Sequence, residues 1–200
     1  MSTTADTVTF QPIKRATLIV PIAGTAPLVM EKWLDKSIRQ MEEKQQKKAA
    51  KGKEAREPHA EFQAHIYRLP DGRPGMPATA FKAAIVASAR LFGKDVSMTA
   101  MKATVFVNGE GPDQLVPIVA PEPEMWTNAV RNATGVADLR YRPRFWPWTA
   151  ELHVTFASPT WSDEQIIGFV DAAGMGGVGG WRPSSPKSLT FAVRGEEAQP

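Results

Sequence analysis

Between Gly174 and Ser188 the chain reads GMGGVGGWRPSSPKS. Gly174, Gly176 and Gly179 fit G-x-G-x-x-G, the spacing that cradles the pyrophosphate of a dinucleotide. That chemistry needs a strand before the glycines and a helix after them, so that phosphate meets a helix N-terminus. Here the order is reversed. A helical pattern over 162–173 runs into the glycines, and a strand pattern over 188–194 follows. The end of that helix offers carbonyls to a phosphate, which sets the dinucleotide reading aside. Two uses of the glycines remain. In one, Gly174 is the left-handed residue just past the helix and the rest allow a tight turn. In the other, Gly176, Gly177, Gly179 and Gly180 keep a wall bare, so that an extended polymer backbone can lie against it. Trp181, Arg182 and Lys187 stand beside that wall, and they are types that stack on bases or pair with phosphates. Five glycines in seven residues exceed what one turn needs.

A second constellation is RYRPRFWPW, residues 140–148. It packs three arginines and four aromatics into nine positions. Arg140, Arg142 and Arg144 can pair with phosphates, and Tyr141, Phe145, Trp146 and Trp148 offer π faces. The same residues are equally consistent with tryptophans that plug a core and arginines that are merely solvated. Catalytic chemistry finds little footing. His59, His65 and His153 have no metal-ligand spacing. HExxH, DxD and GxSxG do not occur, and the chain has no cysteine, which removes thiolate catalysis, disulfides and Cys-ligated zinc. We expect no cofactor, no metal and no enzymatic activity.

These residues need elements to position them. RATLIVPI (15–22) is mostly apolar and β-branched, a central strand. ATAFKAAIVASARLFG predicts a helix over 78–92, with Phe81, Ala84, Ile85, Ser88, Leu91 and Phe92 on one stripe and Gly93 as its stop. MKATVFVN (101–108) reads as a strand, and QLVPIVA (114–120) as one that pairs back on it. TAELHVTF (149–156) alternates. Ala150, Leu152, Val154 and Phe156 face one way, while Thr149, Glu151, His153 and Thr155 face the other. Ser162 and Gln165 form a capping box for the helix at 162–173, whose apolar stripe is Ile166, Ile167, Phe169, Val170 and Ala173. The order strand, helix, strand, strand, helix, strand predicts an α+β fold, the ferredoxin-like or RRM-like split βαβ arrangement. It has two helices on one face of an antiparallel sheet. On the open face, Lys102, Thr104 and Phe106 would then lie beside His153, where an RNA-recognition fold stacks bases.

Two segments interrupt this order. Residues 28–67 are helix-forming and highly charged. Glu31 to Ala60 holds nine Lys/Arg and six Asp/Glu, which predicts a peripheral helical insertion. Residues 109–147 form a long connection without sustained period, and such a segment in a compact domain is usually functional or mobile. The whole of 1–200 is expected to be one domain with these two insertions. The net charge of +3 is compatible with an anionic partner. No apolar run is long enough for a membrane span, and the N-terminus lacks the order of a signal peptide. No membrane partner and a cytoplasmic site, in a bacterial host cell, are expected.

IIGFVDAAGMGGVGGWRPSSPKSLTFAV, GMPATAFKAAIVASAR and the ferredoxin-like order together resemble the RAMP superfamily, the proteins that form the backbone of CRISPR effector complexes. The likeness covers the chain outside 28–67 and the tails. One departure is that SSPKSLTF lacks the G-x-G-x-[FY] continuation frequent in that family. ADLRYRPRFWPW is similar to tailed-phage proteins, which points to a phage relative. The resemblance implies a non-catalytic protein that binds single-stranded nucleic acid, DNA or RNA. It further implies self-assembly along the strand into a helical or ring-shaped homo-oligomer, in phage replication or recombination. The implied groove combines the glycine loop, the first-helix turn with Lys82, and 109–147 as a thumb. The alternatives are a CRISPR-type backbone subunit on guide RNA, a phage protein–protein interaction factor, and a RAMP-type nuclease.

Overall fold

In chain order the elements are β1 (Lys14–Gly24), β2 (Leu28–Val29), α1 (Asp35–Gln45), α2 (Pro58–Ala64), β3 (Gly75–Pro77) and α3 (Ala78–Ser88), which ends in a 3₁₀ turn at Ala89–Phe92. There follow α4 (Met98–Thr104), β4 (Val105–Asn108), β5 (Leu115–Pro117), β6 (Glu124–Arg131), β7 (Ala137–Phe145), β8 (Thr149–Ser158), α5 (Asp163–Gly176) and β9 (Phe191–Val193). This computed structural model describes residues 12–46, 56–131, 135, 137–180 and 190–194. The architecture is α+β, built on antiparallel sheets.

One sheet has the order β4-β8-β1-β9, with every neighbour antiparallel. Its longest pairing runs from Lys14 opposite Ser158 to Ala23 opposite Thr149. The period of two sends Val20, Ile22, Val105, Val107, Leu152, Val154 and Phe156 to one side, where all are buried. Phe81 and Ile85 of α3, with Ile166, Phe169 and Val170 of α5, share that core. The two helices therefore pack on one face, and they touch each other. The buried Ser88 hydroxyl lies 2.7 Å from the Ile85 carbonyl oxygen and 3.2 Å from that of Phe169, a polar tie between them. Burying each large apolar side chain contributes about 1.5–3 kcal/mol, so this stripe-on-sheet contact supplies most of the driving force. Among the described residues nothing covers the opposite face, where Ile19, Phe106 and His153 are exposed.

Helix α5 starts as its sequence predicts. Ser162 and Gln165 satisfy each other's backbone N–H groups. Its end differs. Gly174 is not the left-handed residue past the helix. It is buried within the last turns, and a Cβ there would lie 1.9 Å from the carbonyl oxygen of Phe191. Its role is close approach, because the β9 backbone runs directly against the helix. The left-handed cap is Gly177, at φ +66°, whose N–H donates to Ala173 at 3.0 Å.

Four further expectations are corrected. Residues 101–108 are not one strand, because Met98–Thr104 is helical and only Val105–Asn108 joins the sheet. The cause is a local start signal. Ser97 accepts the Ala100 N–H through its side chain, and Met101 drives the turn into the core. Residues 115–117 pair with β3, and Val119 bridges Thr149, rather than returning to β4. The 109–147 connection contains a β-hairpin, β6–β7, in uninterrupted register from Glu124 opposite Arg144 to Arg131 opposite Ala137. With β2 it forms a second sheet, β2-β7-β6. Finally, 28–67 is not peripheral at its ends. Leu28, Val29 and Met30 are core residues at one end, as are Phe62 and Ile66 at the other.

Candidate nucleic-acid interface

The stretch after β2 and the stretch after α5 meet. Gly180 N–H donates to the Val29 carbonyl at 3.0 Å, and Met30 N–H donates to that of Pro143 at 3.1 Å. The next residues are clamped from below. Lys32 N–H donates to the His65 carbonyl at 3.3 Å, and the His65 Nδ1–H donates back to the Lys32 carbonyl at 2.9 Å. That reciprocal pair fixes where Lys32 and Trp33 project. His65 is buried, and desolvation pulls its pKa below the usual imidazole value, against the backbone bond and the carboxylates of Glu61 and Glu31. The ring is therefore neutral near pH 7. Among the described residues its Nε2 has no hydrogen-bond partner, and it lies 4.0 Å from Glu61.

Above this clamp opens a cleft of about 610 Å³. One wall is the backbone of Gly177–Gly180, with Gly177 and Gly179 both at positive φ. Glu31, which lies against Gly180, lines the cleft with Lys32, Trp33 and Leu34, and His65, Tyr67, Met76, Ala80 and Ala83 complete the lining. Arg140 also lines it. Trp33 is 64% exposed, so its indole is available to a ligand. The Lys32 ammonium lies 6.0 Å from the Tyr67 ring centroid, a loose cation–π contact that leaves the charge facing solvent. A Cβ at Gly176 would meet nothing within 4 Å, so packing does not require a glycine there.

The three arginines expected together take three different roles. Arg142 is only 6% exposed and is consumed by structure, since it donates to Glu31 and, at 3.2 Å, to Asn128. It is not an open phosphate contact. Its geometry follows from the hairpin period, which puts residues 140, 142 and 144 on one face with 124, 126 and 128, and of these Asn128 and Arg142 are buried. Arg144 pairs with Glu124. Arg140 reaches the cleft, with Asp138 at 3.0 Å, and that carboxylate also takes Arg56 at 2.7 Å. Tyr141 lies on the opposite side of β7, half-buried. Phe145 and Trp148 are core residues, and the Trp148 Nε1–H donates to Ala26 at 2.9 Å, whereas Trp146 is exposed. Trp181, Arg182 and Lys187 lie outside the described residues.

Lys82, Lys102 and Phe106 do come together, away from the cleft, at the β4 edge. The Lys82 ammonium sits 3.8 Å from the Phe106 ring centroid. Burial, then repulsion from Lys102, lowers its pKa. The route differs from the sheet row expected from sequence. Lys102 belongs to α4, and Thr104 turns back to bond the Ala100 carbonyl at 2.6 Å. Phe106 alone of the three lies on the open face, 45% exposed. Among the described residues no cluster of His, Asp or Glu could hold a metal, and no helix is long and apolar enough to cross a membrane.

Sequence reasoning missed Lys32, Trp33 and Tyr67. The one signal was the tryptophan in EKWLDK, out of place in a solvated charged helix. No protein-family model matches this chain, and no curated protein matches it significantly.

Proposed function

We propose that the chain binds the backbone of a single-stranded nucleic acid in the cleft walled by Gly177–Gly180, without catalysis and without strong sequence preference. The observation that carries this reading is the convergence, around one 610 Å³ cleft, of a bare glycine backbone, Lys32, Arg140 and the exposed indole of Trp33. A bare wall admits a phosphodiester chain, two cations neutralise phosphates, and an aromatic face stacks on any base. Glu31, which also lines the cleft, spends its charge on Arg142 and so repels a strand less than a free carboxylate would. The Lys82–Phe106 pair offers a second contact further along a strand. The sheet order β4-β8-β1-β9, with α3 and α5 on one face, supports reading the core as ferredoxin-like, of the RAMP kind.

The test is binding of labelled single-stranded DNA and RNA oligonucleotides across a salt series, with thermal melting as the folding control. Lys32→Ala and Arg140→Ala should each reduce the salt slope by about 0.7. Trp33→Ala should weaken binding by about 1–3 kcal/mol while leaving that slope alone. Variants that melt like wild type and bind with unchanged affinity and slope overturn the assignment of the cleft.

A further inference from the structure

Among the described residues that line the cleft, Glu31 is the one acid, and it is held in place. The backbone is pinned on either side of it, since Met30 N–H donates to the Pro143 carbonyl at 3.1 Å and Lys32 N–H to that of His65 at 3.3 Å. The buried guanidinium of Arg142 donates to one carboxylate oxygen, Oε1. The other, Oε2, lies against Gly180, where a Cβ would stand 3.3 Å from it. The side chain is still 39% exposed, so a ligand can reach it. The backbone beside it has the same character. Gly177 caps the C-terminal end of α5, where a helix carries partial negative charge. The N–H groups of Gly177 and Gly180 are spent on the carbonyls of Ala173 and Val29, and so are not offered to a phosphate. The place where Glu31 meets Gly180 therefore suits a group that donates hydrogen bonds. Lys32 and Arg140, in the same cleft, suit phosphates.

We propose that Glu31 selects guanine at one base position of the bound strand, with that base stacked on Trp33. The inference rests on the reading of the cleft and adds to it a preference at that single position, while the phosphate contacts stay indifferent to sequence. An ionised carboxylate only accepts hydrogen bonds, and Oε1 keeps accepting capacity beyond the bond from Arg142. Guanine presents two adjacent donors on its pairing edge, N1–H and the N2 amino group, which match the two oxygens of a carboxylate. Adenine and cytosine each set one amino donor beside a ring-nitrogen acceptor. Thymine and uracil set one N–H between two carbonyls. Those acceptors would face the carboxylate and be repelled by it. Guanine is also a purine, and so offers the larger face to Trp33, which is exposed two residues along the chain. A paired contact of this kind discriminates against the wrong base by about tenfold.

The experiment is competition on the full chain. Labelled oligothymidine is displaced by oligothymidines of the same length that carry one guanine, one adenine or one inosine. Adenine keeps the stacking face of a purine and changes the edge. Inosine keeps N1–H and loses the N2 amino group. The guanine strand should compete about tenfold better than the adenine strand, with the inosine strand between them. Glu31→Gln keeps the shape and an oxygen for Arg142 but leaves one acceptor where there were two. It should close the gap between guanine and adenine while melting like wild type. Should that variant fail to fold, the inosine strand on wild type decides, because equal competition by guanine and inosine overturns the proposal. A wild type that binds every strand and does not separate guanine from adenine also overturns it, and leaves the reading of the cleft intact. A gap that persists in a folded Glu31→Gln overturns it as well, since another group then reads the base. If no strand binds at all, the reading of the cleft fails and this inference fails with it.

Discussion

In the four-stranded sheet, the side facing the helices is apolar at every alternate position, from Val20 and Ile22 to Leu152, Val154 and Phe156. In the β6–β7 hairpin, the face that carries Arg142 is polar. Arg142 meets Glu31 and Asn128, Arg144 meets Glu124, and Arg56 and Arg140 share Asp138. The first side is held by a non-directional force proportional to area. The second is held by particular partners, and among the described residues it keeps unpaired atoms where the match is imperfect, namely Asn128 Nδ2, Arg140 Nε and Arg142 Nε. A core built by area tolerates imperfect geometry. A polar contact returns its desolvation cost only where the partners meet. The cleft lies beside the second kind of contact, where side chains are already arranged for charge.

The comparison is broken most directly at its apolar end. Phe156 is buried against both helices' core, so Phe156→Ala should cost about 3–5 kcal/mol in denaturant unfolding. A loss below about 1 kcal/mol would mean that this sheet is not what holds the fold. Arg142 probes the polar side with two substitutions. Arg142→Ala strands Glu31 and Asn128, and breaking a buried pair costs about 3–5 kcal/mol. Glu31 is 39% exposed and rehydrates, so about 1–3 kcal/mol is expected here. Arg142→Met keeps the bulk and removes the charge, and should recover part of that loss. If the two variants are equally unstable, the pairing rather than the volume is decisive, and the hairpin depends on ion pairs more than this reading allows.

The same contrast explains what could be read from the chain. Strands β1 and β8, helix α3 and the start of α5 announce themselves because burial leaves a period in adjacent residues, two for TAELHVTF and about 3.6 for the stripe through Phe81, Ile85 and Ser88. The hairpin was illegible. One face of it carries Trp126, Asn128, Arg140 and Arg142, and no hydropathy pattern marks an arginine as buried. The partner that makes Arg142 tolerable is Glu31, 111 positions away. The helix over Met98–Thr104 was misread as strand because ATVFV is β-rich, although the cap at Ser97 decides the preceding turn. The glycines were legible in number but not in task. Gly174 serves close approach, Gly177 and Gly179 serve left-handed backbone, and only their union with Lys32 and Trp33 makes a cleft.

The smallest expected effect sharpens the comparison at the joint between the two regions, His65. Its ring is buried and donates to Lys32. The groups facing it are Glu61, Glu31 and Arg142. Burial dominates and lowers its pKa, while the backbone bond and both carboxylates oppose burial, so the net effect on stability is modest. The sign follows from proton counting. In the unfolded chain the imidazole titrates near 6.5, and in the fold it titrates lower. Between those two values the unfolded state binds more protons, so stability falls as pH falls. Above about 6.5 both states are neutral and the term vanishes, and below the folded value both are charged and it levels off. Denaturant unfolding at about pH 7.5 and about pH 5.5 should therefore show a drop in wild type that is smaller in His65→Gln, the remainder coming from groups common to both proteins. A drop that is equal in the two proteins means that the ring is solvated in the fold. A larger drop in His65→Gln means that the ring gains protons on folding, and Glu61 rather than burial controls it. Either result would loosen the clamp that aims Lys32 and Trp33 into the cleft.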